Sequence, residues 1–79
     1  MKLEEKIYML STTDCTKCPI VKQMLSTKDV EVEYVNNDDD PSLAAYLEVM
    51  SVPTIVDNRQ DNETLFIWQQ SCLAFVNSL

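Results

Sequence analysis

Two cysteines separated by two residues follow an apolar run and precede a helical pattern. The cysteines are Cys15 and Cys18, and the apolar run extends from Ile7 to Leu10. A strand that leads into a helix through such a turn places the first thiol at the helix N-terminus, where unpaired backbone N–H groups and the helix dipole favour the thiolate. The second thiol, one turn further along, lies close enough to close a disulfide with the first. The spacing therefore predicts an α/β chain organised around a strand, a dithiol turn and a helix.

The order of apolar and polar residues predicts the element order β-α-β-α-β-β-α. The first apolar run is typical of a central strand covered on both faces, whereas alternation over residues 30–34, with glutamates on one side, indicates an edge strand. The first β-α-β should be a right-handed parallel unit, and the last two strands should form an antiparallel hairpin. We expect one domain over residues 1–79, with a four-stranded mixed sheet and helices on both faces. The predicted strands cover residues 6–10, 30–34, 54–56 and 64–68.

Three helices are predicted from apolar residues at helical spacing. The first covers residues 16–27. The second begins after an N-cap at Asp40 and is ended by Val52 and Pro53. The third begins after a cap at Ser71. The apolar face of the second helix carries Leu43, Leu47 and Met50, and that of the third carries Cys72, Phe75, Val76 and Leu79.

The chain contains no glycine, so its turns have to be made from other residues. Asn and Asp are the residues that best tolerate left-handed backbone after glycine. Residues 36–40 and 57–62 are rich in both and are predicted to be loops. We expect Asn, Asp, Ser and Pro to make the turns.

Charge and hydropathy narrow the range of partners. The net charge of −7 repels a phosphate backbone and makes nucleic acid and anionic membranes poor partners. No apolar stretch approaches the roughly 18 residues of a membrane span, and the first six residues are not typical of a signal peptide. We therefore expect a cytoplasmic monomer. Under reducing conditions a pair of cysteines at this spacing is catalytic or metal-binding more often than structural.

The choice between redox chemistry and metal binding depends on the other available ligands. Structural zinc normally takes four Cys or His ligands, and this chain has no His and one further cysteine, Cys72. We therefore predict redox chemistry and no metal site. Cys15 is the expected nucleophile, because the helix start and Lys17 lower its pKa, although Asp14 acts in the opposite direction. Cys18 is the expected resolving thiol.

Two stretches also carry a family resemblance. They are Ser11-x-x-Asp14-Cys15-x-x-Cys18, with Lys22 four residues later, and Ser51-Val52-Pro53 roughly 35 residues further on. Together with the element order they resemble the thioredoxin-fold superfamily and, within it, the small glutaredoxin-like proteins, including the type that donates electrons to ribonucleotide reductase. The resemblance implies a thiol–disulfide oxidoreductase that reduces protein disulfides, with ribonucleotide reductase as a candidate substrate.

The resemblance also implies a substrate-binding surface. In this fold the proline beside the dithiol is cis, which would turn the backbone of Val52 toward an extended substrate chain. The residues expected to bind substrate are therefore Val52, Pro53, Lys17 and Thr16. No bound cofactor is expected beyond the redox-active disulfide between Cys15 and Cys18.

The electron source is predicted from two departures from the family pattern. Thr12 stands where glutaredoxins commonly have a lysine that holds glutathione, and Gln69 and Gln70 stand roughly where they have a small pair. Both departures disfavour glutathione, so we expect a thioredoxin reductase using NADPH to be the better reductant. Glutathione remains the other candidate.

Three questions stay open at this stage: the function of the protein, the role of Cys72 and the role of Trp68. The protein could be a thioredoxin-fold adaptor with little catalysis, or a metal or iron–sulfur carrier that uses Cys15 from two protomers. Cys72 is predicted to be a small buried hydrophobe, with a third reactive thiol as the alternative. Trp68 is predicted to serve packing, with a place beside the active-site groove as its alternative.

Overall fold

Four strands form one mixed sheet in the order β2-β1-β3-β4. A computed structural model describes residues 3–79. In it β1 pairs in parallel with β2 and antiparallel with β3, and β3 pairs antiparallel with β4. The predicted element order, the parallel first unit and the terminal hairpin are confirmed. The strands are β1 Ile7–Ser11, β2 Val32–Asn36, β3 Thr54–Asp57 and β4 Thr64–Ile67, and the helices are α1 Cys18–Ser26, α2 Ser42–Leu47 and α3 Gln69–Asn77.

The central strand β1 is buried on both faces, as its continuous apolar run predicts. Ile7 and Met9 point to one side and pack with α1 and α3, because successive side chains of a strand alternate between the faces of a sheet. Tyr8 and Leu10 point to the other side and pack with Leu43 of α2. Helices therefore cover both faces of the sheet, which confirms the predicted layering.

The edge strand and the first helix are displaced from their predicted bounds. β2 begins at Val32, two residues later than the alternation suggested, and it does lie at the sheet edge. α1 begins at Cys18, two residues later than predicted, and Pro19 lies in its first turn. The dithiol turn therefore takes up residues that periodicity alone assigns to the helix.

The second helix ends earlier than predicted and for a different reason. Glu48 takes a left-handed conformation at φ 57° and ψ 40°, so α2 ends at Leu47 rather than at Pro53. The Val49 N–H then donates to the Ala44 carbonyl at 3.0 Å, and the Val49 side chain is buried. Such a left-handed turn satisfies the last carbonyls of a helix and redirects the chain. Met50, predicted to lie on the apolar stripe, is 99% exposed, so that prediction was wrong.

Left-handed backbone falls only partly on the expected residue types. Within residues 3–79 the non-glycine residues at positive φ are Glu48, Asp61 and Trp68, of which only Asp61 has the expected chemistry. Trp68, and not Ser71, occupies the position before α3, so the predicted cap at Ser71 was also wrong. None of the helices in this described part of the chain has the length and apolar character of a membrane span.

Candidate active site

Strand register brings three separate loops to one edge of the sheet. Leu10, near the end of β1, pairs with Thr54 at the start of β3, and Thr54 pairs with Ile67 at the end of β4. The turn that follows β1, the loop that precedes β3 and the residue that follows β4 therefore meet at this edge. These segments carry the two cysteines, Val52 with Pro53, and Trp68 respectively.

The two cysteines of the turn are joined in a disulfide, with their Cα atoms 5.5 Å apart. Cys15 lies three residues before α1 and is partly exposed, whereas Cys18 is the first residue of α1 and is 4% exposed. The Cys18 N–H donates to Cys15 Sγ at 3.1 Å. Although Cys15 is not inside the helix, the first N–H of the helix reaches its sulfur. A backbone N–H in this position would stabilise a thiolate at Cys15 once the disulfide is reduced, as expected for a thiol at a helix start.

The turn before the cysteines is held by the loop that follows β2. The Asp38 carboxylate accepts the Thr13 N–H at 2.8 Å, and the Asn37 N–H donates to the Ser11 carbonyl at 2.7 Å. Asp40, two residues after Asp38, accepts the Ser42 N–H at 3.2 Å and the Ser42 hydroxyl at 2.7 Å. These bonds hold the pKa of the Asp40 carboxyl below its usual value. The acidic run therefore holds the active-site turn through Asp38 and contacts the first residue of α2 through Asp40. Pro41, and not Asp40, occupies the N-cap position of α2, so the predicted cap was wrong by one residue.

An open groove of about 340 Å³ runs beside the disulfide. Three of the predicted substrate-binding residues line it, namely Thr16, Lys17 and Val52, together with Cys15. Pro53 is fully buried behind the groove, and its bond to Val52 is cis, as the resemblance implies. The remaining lining residues are Thr12, Asp14 and Trp68.

Trp68 is the groove residue that the sequence interpretation placed wrongly. It is 61% exposed, so packing does not account for it. The residue before α3, which has a positive φ, is Trp68. Gln69 and Gln70, which the sequence analysis aligned with the small pair before the last helix, instead form the first turn of that helix. An isolated apolar residue after a strand gives no signal that separates a groove wall from a core position.

The Lys22 side chain contacts Tyr34 and not the groove. Its Nζ lies 5.1 Å from the centre of the Tyr34 ring on β2, which is a cation–π contact. Lys22 is not among the residues that line the groove, so Lys17 is the cation beside the disulfide.

The third cysteine is buried, which confirms the hydrophobic interpretation. Cys72 has no exposed surface and packs in the core between the sheet, α1 and α3. Its thiol donates to the Phe66 carbonyl at 3.3 Å and lies 3.6 Å from the Pro53 carbonyl. Burial raises the pKa of this thiol to about 11. Cys72 is therefore a neutral thiol behind the active site and not a further exposed nucleophile.

The comparison with known families decides the identity. The sequence profile of the family described as Glutaredoxin matches residues 6–60, a range that contains both cysteines and Val52 with Pro53. This chain belongs to the glutaredoxin family. The family and the cysteine pair support thiol–disulfide redox activity, on disulfide substrates and with a reductant partner. No curated protein sequence gives a significant match to the chain.

Solved structures show the same fold beyond the range of the family match. Thioredoxin 1 from Thermosipho africanus superposes with a TM-score of 0.73 at 23% identity, covering 92% of this chain and 88% of that one. A mutant of the thioredoxin-like protein BC3987 gives a TM-score of 0.72 at 24% identity, covering 94% and 97%. The N-terminal domain of SasA from Synechococcus elongatus gives 0.62 at 15% identity, covering 99% and 83%. The glutaredoxin-like chain thus has a thioredoxin-like fold that includes β4 and α3.

Proposed function

We propose that this glutaredoxin reduces protein disulfides by dithiol exchange at Cys15 and Cys18. The observation that carries the proposal is the asymmetry of the pair. The Cys15 sulfur lies at the groove and accepts the first N–H of α1, whereas Cys18 is buried behind it. A thiolate that attacks a bulky substrate must be accessible, while a resolving thiol needs only to reach its neighbour.

The exchange has two steps. The Cys15 thiolate attacks one sulfur of the substrate disulfide, a mixed disulfide forms, and the other substrate sulfur leaves as a thiolate that takes up a proton. The Cys18 thiol then loses its proton and attacks Cys15 Sγ, which forms the Cys15–Cys18 disulfide and releases the second substrate thiol. Two electrons pass to the substrate in each cycle. A two-electron reductant then returns the protein to the dithiol form.

The groove residues support a polypeptide substrate. Within residues 3–79 the backbone N–H and C=O of Val52 make no hydrogen bond, because β3 begins two residues later. An extended substrate chain can therefore pair with Val52 while its sulfur meets Cys15. Thr16 and Lys17 form the wall that follows Cys15. Among protein substrates, the family makes ribonucleotide reductase a candidate for direct assay.

We further propose that a thioredoxin reductase supplies the electrons in preference to glutathione. Thr12, which stands where the family commonly has lysine, lines the groove and carries no charge. Trp68 puts an indole where a small residue would leave room for the tripeptide. The net charge of −7 further opposes an anionic reductant. A reductase that docks through its own protein surface does not depend on these contacts.

A coupled assay tests both parts of the proposal. Consumption of NADPH is followed with insulin as the disulfide substrate, once with a thioredoxin reductase and once with millimolar glutathione and glutathione reductase. We expect faster turnover with the thioredoxin reductase, and Thr12→Lys should increase the glutathione-dependent rate. Rapid turnover with glutathione alone would overturn the choice of reductant. If the protein showed no turnover with the thioredoxin reductase, with glutathione or with dithiothreitol, an adaptor role would be favoured.

A further inference from the structure

Trp68 combines an exposed indole with a backbone conformation that tryptophan does not favour. Its φ of 78° and ψ of 156° lie in a region occupied almost only by glycine. Asp61 and Glu48 also have positive φ, but Glu48 lies in the ordinary left-handed region at ψ 40°. Residues held in such sparsely populated regions cluster at active sites and ligand contacts. A glycine at this position would avoid the conformational penalty, so the side chain calls for an explanation.

The surrounding backbone fixes this conformation. The Trp68 N–H donates to the Pro53 carbonyl at 3.1 Å, and the Trp68 carbonyl accepts the Cys72 N–H at 3.0 Å. The same Pro53 carbonyl lies 3.6 Å from the Cys72 thiol. The peptide groups on both sides of Trp68 are thus tied to the loop before β3 and to the first turn of α3, and the indole is directed to the groove they share.

Burial does not explain the tryptophan. The side chain is 61% exposed, whereas Phe66 and Phe75 of the same region stack on each other with ring centres 4.5 Å apart. The indole instead lines the groove with Cys15 and Val52. A large apolar side chain that lines an open groove loses contact with water only when something binds there.

We propose that the Trp68 indole selects polypeptide substrates that carry a large apolar residue beside the reacting cysteine. This inference rests on the proposed exchange at Cys15, because the same groove must receive the substrate sulfur and the residues that flank it. Aromatic side chains provide a large apolar contact with little loss of conformational freedom. The acidic surface, with a net charge of −7, disfavours acidic flanking residues. The selected segment is therefore apolar and not acidic.

The test compares two peptide disulfides that are identical except for the residue beside one cysteine, which is Leu or Ser. Initial rates are measured with dithiothreitol as the reductant and are divided by the rate with hydroxyethyl disulfide, which has no flanking residues. The variants are Trp68→Gly, which removes the indole and suits the backbone, and Trp68→Phe, which keeps an aromatic ring. The control is Asp61→Gly, which also relieves a positive φ but lies in the loop at the opposite end of the sheet.

We expect the unaltered protein to favour the Leu peptide by about tenfold, a typical discrimination for one apolar contact. Trp68→Gly should reduce this preference to within about twofold while its melting temperature rises, because glycine relieves the backbone. Trp68→Phe should keep most of the preference, and Asp61→Gly should keep all of it. A purely structural tryptophan would leave the preference unchanged when it is replaced.

A second measurement does not depend on turnover. Trp68 is the single tryptophan of the chain, so its fluorescence reports directly on the groove. The reduced Leu peptide should shift its emission to shorter wavelength, and the Ser peptide should shift it less. A Leu preference that survives in Trp68→Gly, or equal rates for both peptides in the unaltered protein, would overturn the inference alone. An unaltered protein that reduces none of the three disulfides would overturn the proposed exchange and the inference together.

Discussion

At the end of the sheet where β1 begins, charged and polar side chains pair with one another. At the end where β1 stops, an open groove remains. Lys6 Nζ contacts Glu4 and Glu33 at 2.7 Å each and lies 3.8 Å from Glu31. The buried Asn58 donates its side-chain N–H to the Glu4 carbonyl at 2.9 Å. At the other end, the partly exposed Cys15 and the exposed Trp68 face solvent.

The two ends of β1 therefore have different roles: the amino end contributes to stability, and the carboxyl end contributes to the proposed exchange reaction. The amino end of β1 joins β2 and the β3–β4 loop through hydrogen bonds and ion pairs that are already satisfied. The carboxyl end has two features: an exposed tryptophan in a conformation that glycine favours, and the partly exposed sulfur of Cys15. Binding and reactive regions of proteins often contain strained residues and have lower local stability than the rest of the fold. Changes at the carboxyl end should therefore alter exchange, and changes at the amino end should alter the free energy of unfolding.

The largest effect is expected at the disulfide itself. Cys15→Ser should abolish turnover, because the attacking thiol is lost. Cys18→Ser should accumulate a mixed disulfide between Cys15 and the substrate, because nothing resolves it. Mass spectrometry of the trapped species measures both outcomes, with Cys72→Ala as a control that keeps both exchanging thiols. Adducts that form on Cys18 in Cys15→Ser as fast as on Cys15 in Cys18→Ser would contradict the assignment.

A second test concerns the contrast between the exposed and buried thiols. In the reduced protein, iodoacetamide should modify Cys15 first and leave Cys72 unmodified until the chain unfolds. Burial raises the pKa of Cys72 to about 11, so only about one thiol in a thousand is ionised at pH 8. Peptide mapping after timed alkylation gives the order. Modification of Cys72 at the rate of Cys15 under native conditions would show that the α3 face opens readily.

The raised pKa of Cys72 also predicts a pH dependence of stability. The folded protein binds the thiol proton more tightly than the unfolded chain, whose thiol has a pKa of about 9. This contribution is complete below pH 9 and is lost as the pH rises toward about 11. Thermal unfolding of the unaltered protein should therefore show a steeper fall in melting temperature between pH 9 and 11 than Cys72→Ala. Parallel curves for the two proteins would remove Cys72 as the cause.

At the opposite end, Asn58→Ala should lower stability without affecting exchange. The side chain is 2% exposed, and its loss leaves the Glu4 carbonyl without this partner. We expect the free energy of unfolding to fall by about 1–3 kcal/mol, the usual result of removing one partner of a buried hydrogen bond. Urea unfolding measures this change, and the rate with hydroxyethyl disulfide serves as the control. A loss of exchange activity in a folded Asn58→Ala protein would show that the two ends are coupled.

The smallest effect is expected from the ion pairs of Lys6. Its carboxylate partners are exposed, so each pair stabilises little in water. Lys6→Met keeps the aliphatic stem but leaves the glutamates to repel one another. The melting temperature should fall slightly at low salt, and the deficit should shrink in 1 M NaCl. The deficit should also shrink with falling pH, because Lys6 holds the pKa of Glu4 below its usual value and protonation removes the attraction. A deficit independent of salt and pH would indicate packing of the stem instead.

Local patterns were sufficient for the parts of this protein that depend on residue type and spacing. The run from Ile7 to Leu10 is typical of a strand covered on both faces, so the centre of the sheet was predictable. The spacing of Cys15 and Cys18 between a strand and a helix predicted where the dithiol lies, whereas the family resemblance implied that the loop with Val52 and Pro53 faces it. These features depend on side-chain alternation and on the chemistry of a few residues.

Tertiary contacts decided the features that no short pattern contains. The left-handed turn at Glu48 redirects the chain and accompanies the burial of Val49, and it leaves Met50 in solvent although its spacing fits the apolar stripe. Trp68 has a conformation suited to glycine because its peptide groups form hydrogen bonds with Pro53, in the loop before β3, and with Cys72, in the first turn of α3. Periodicity records which residues could be buried together, but hydrogen bonds between separate loops determine which of them are. The groove beside Cys15 therefore follows from the way three loops meet, and only the folded chain brings them together.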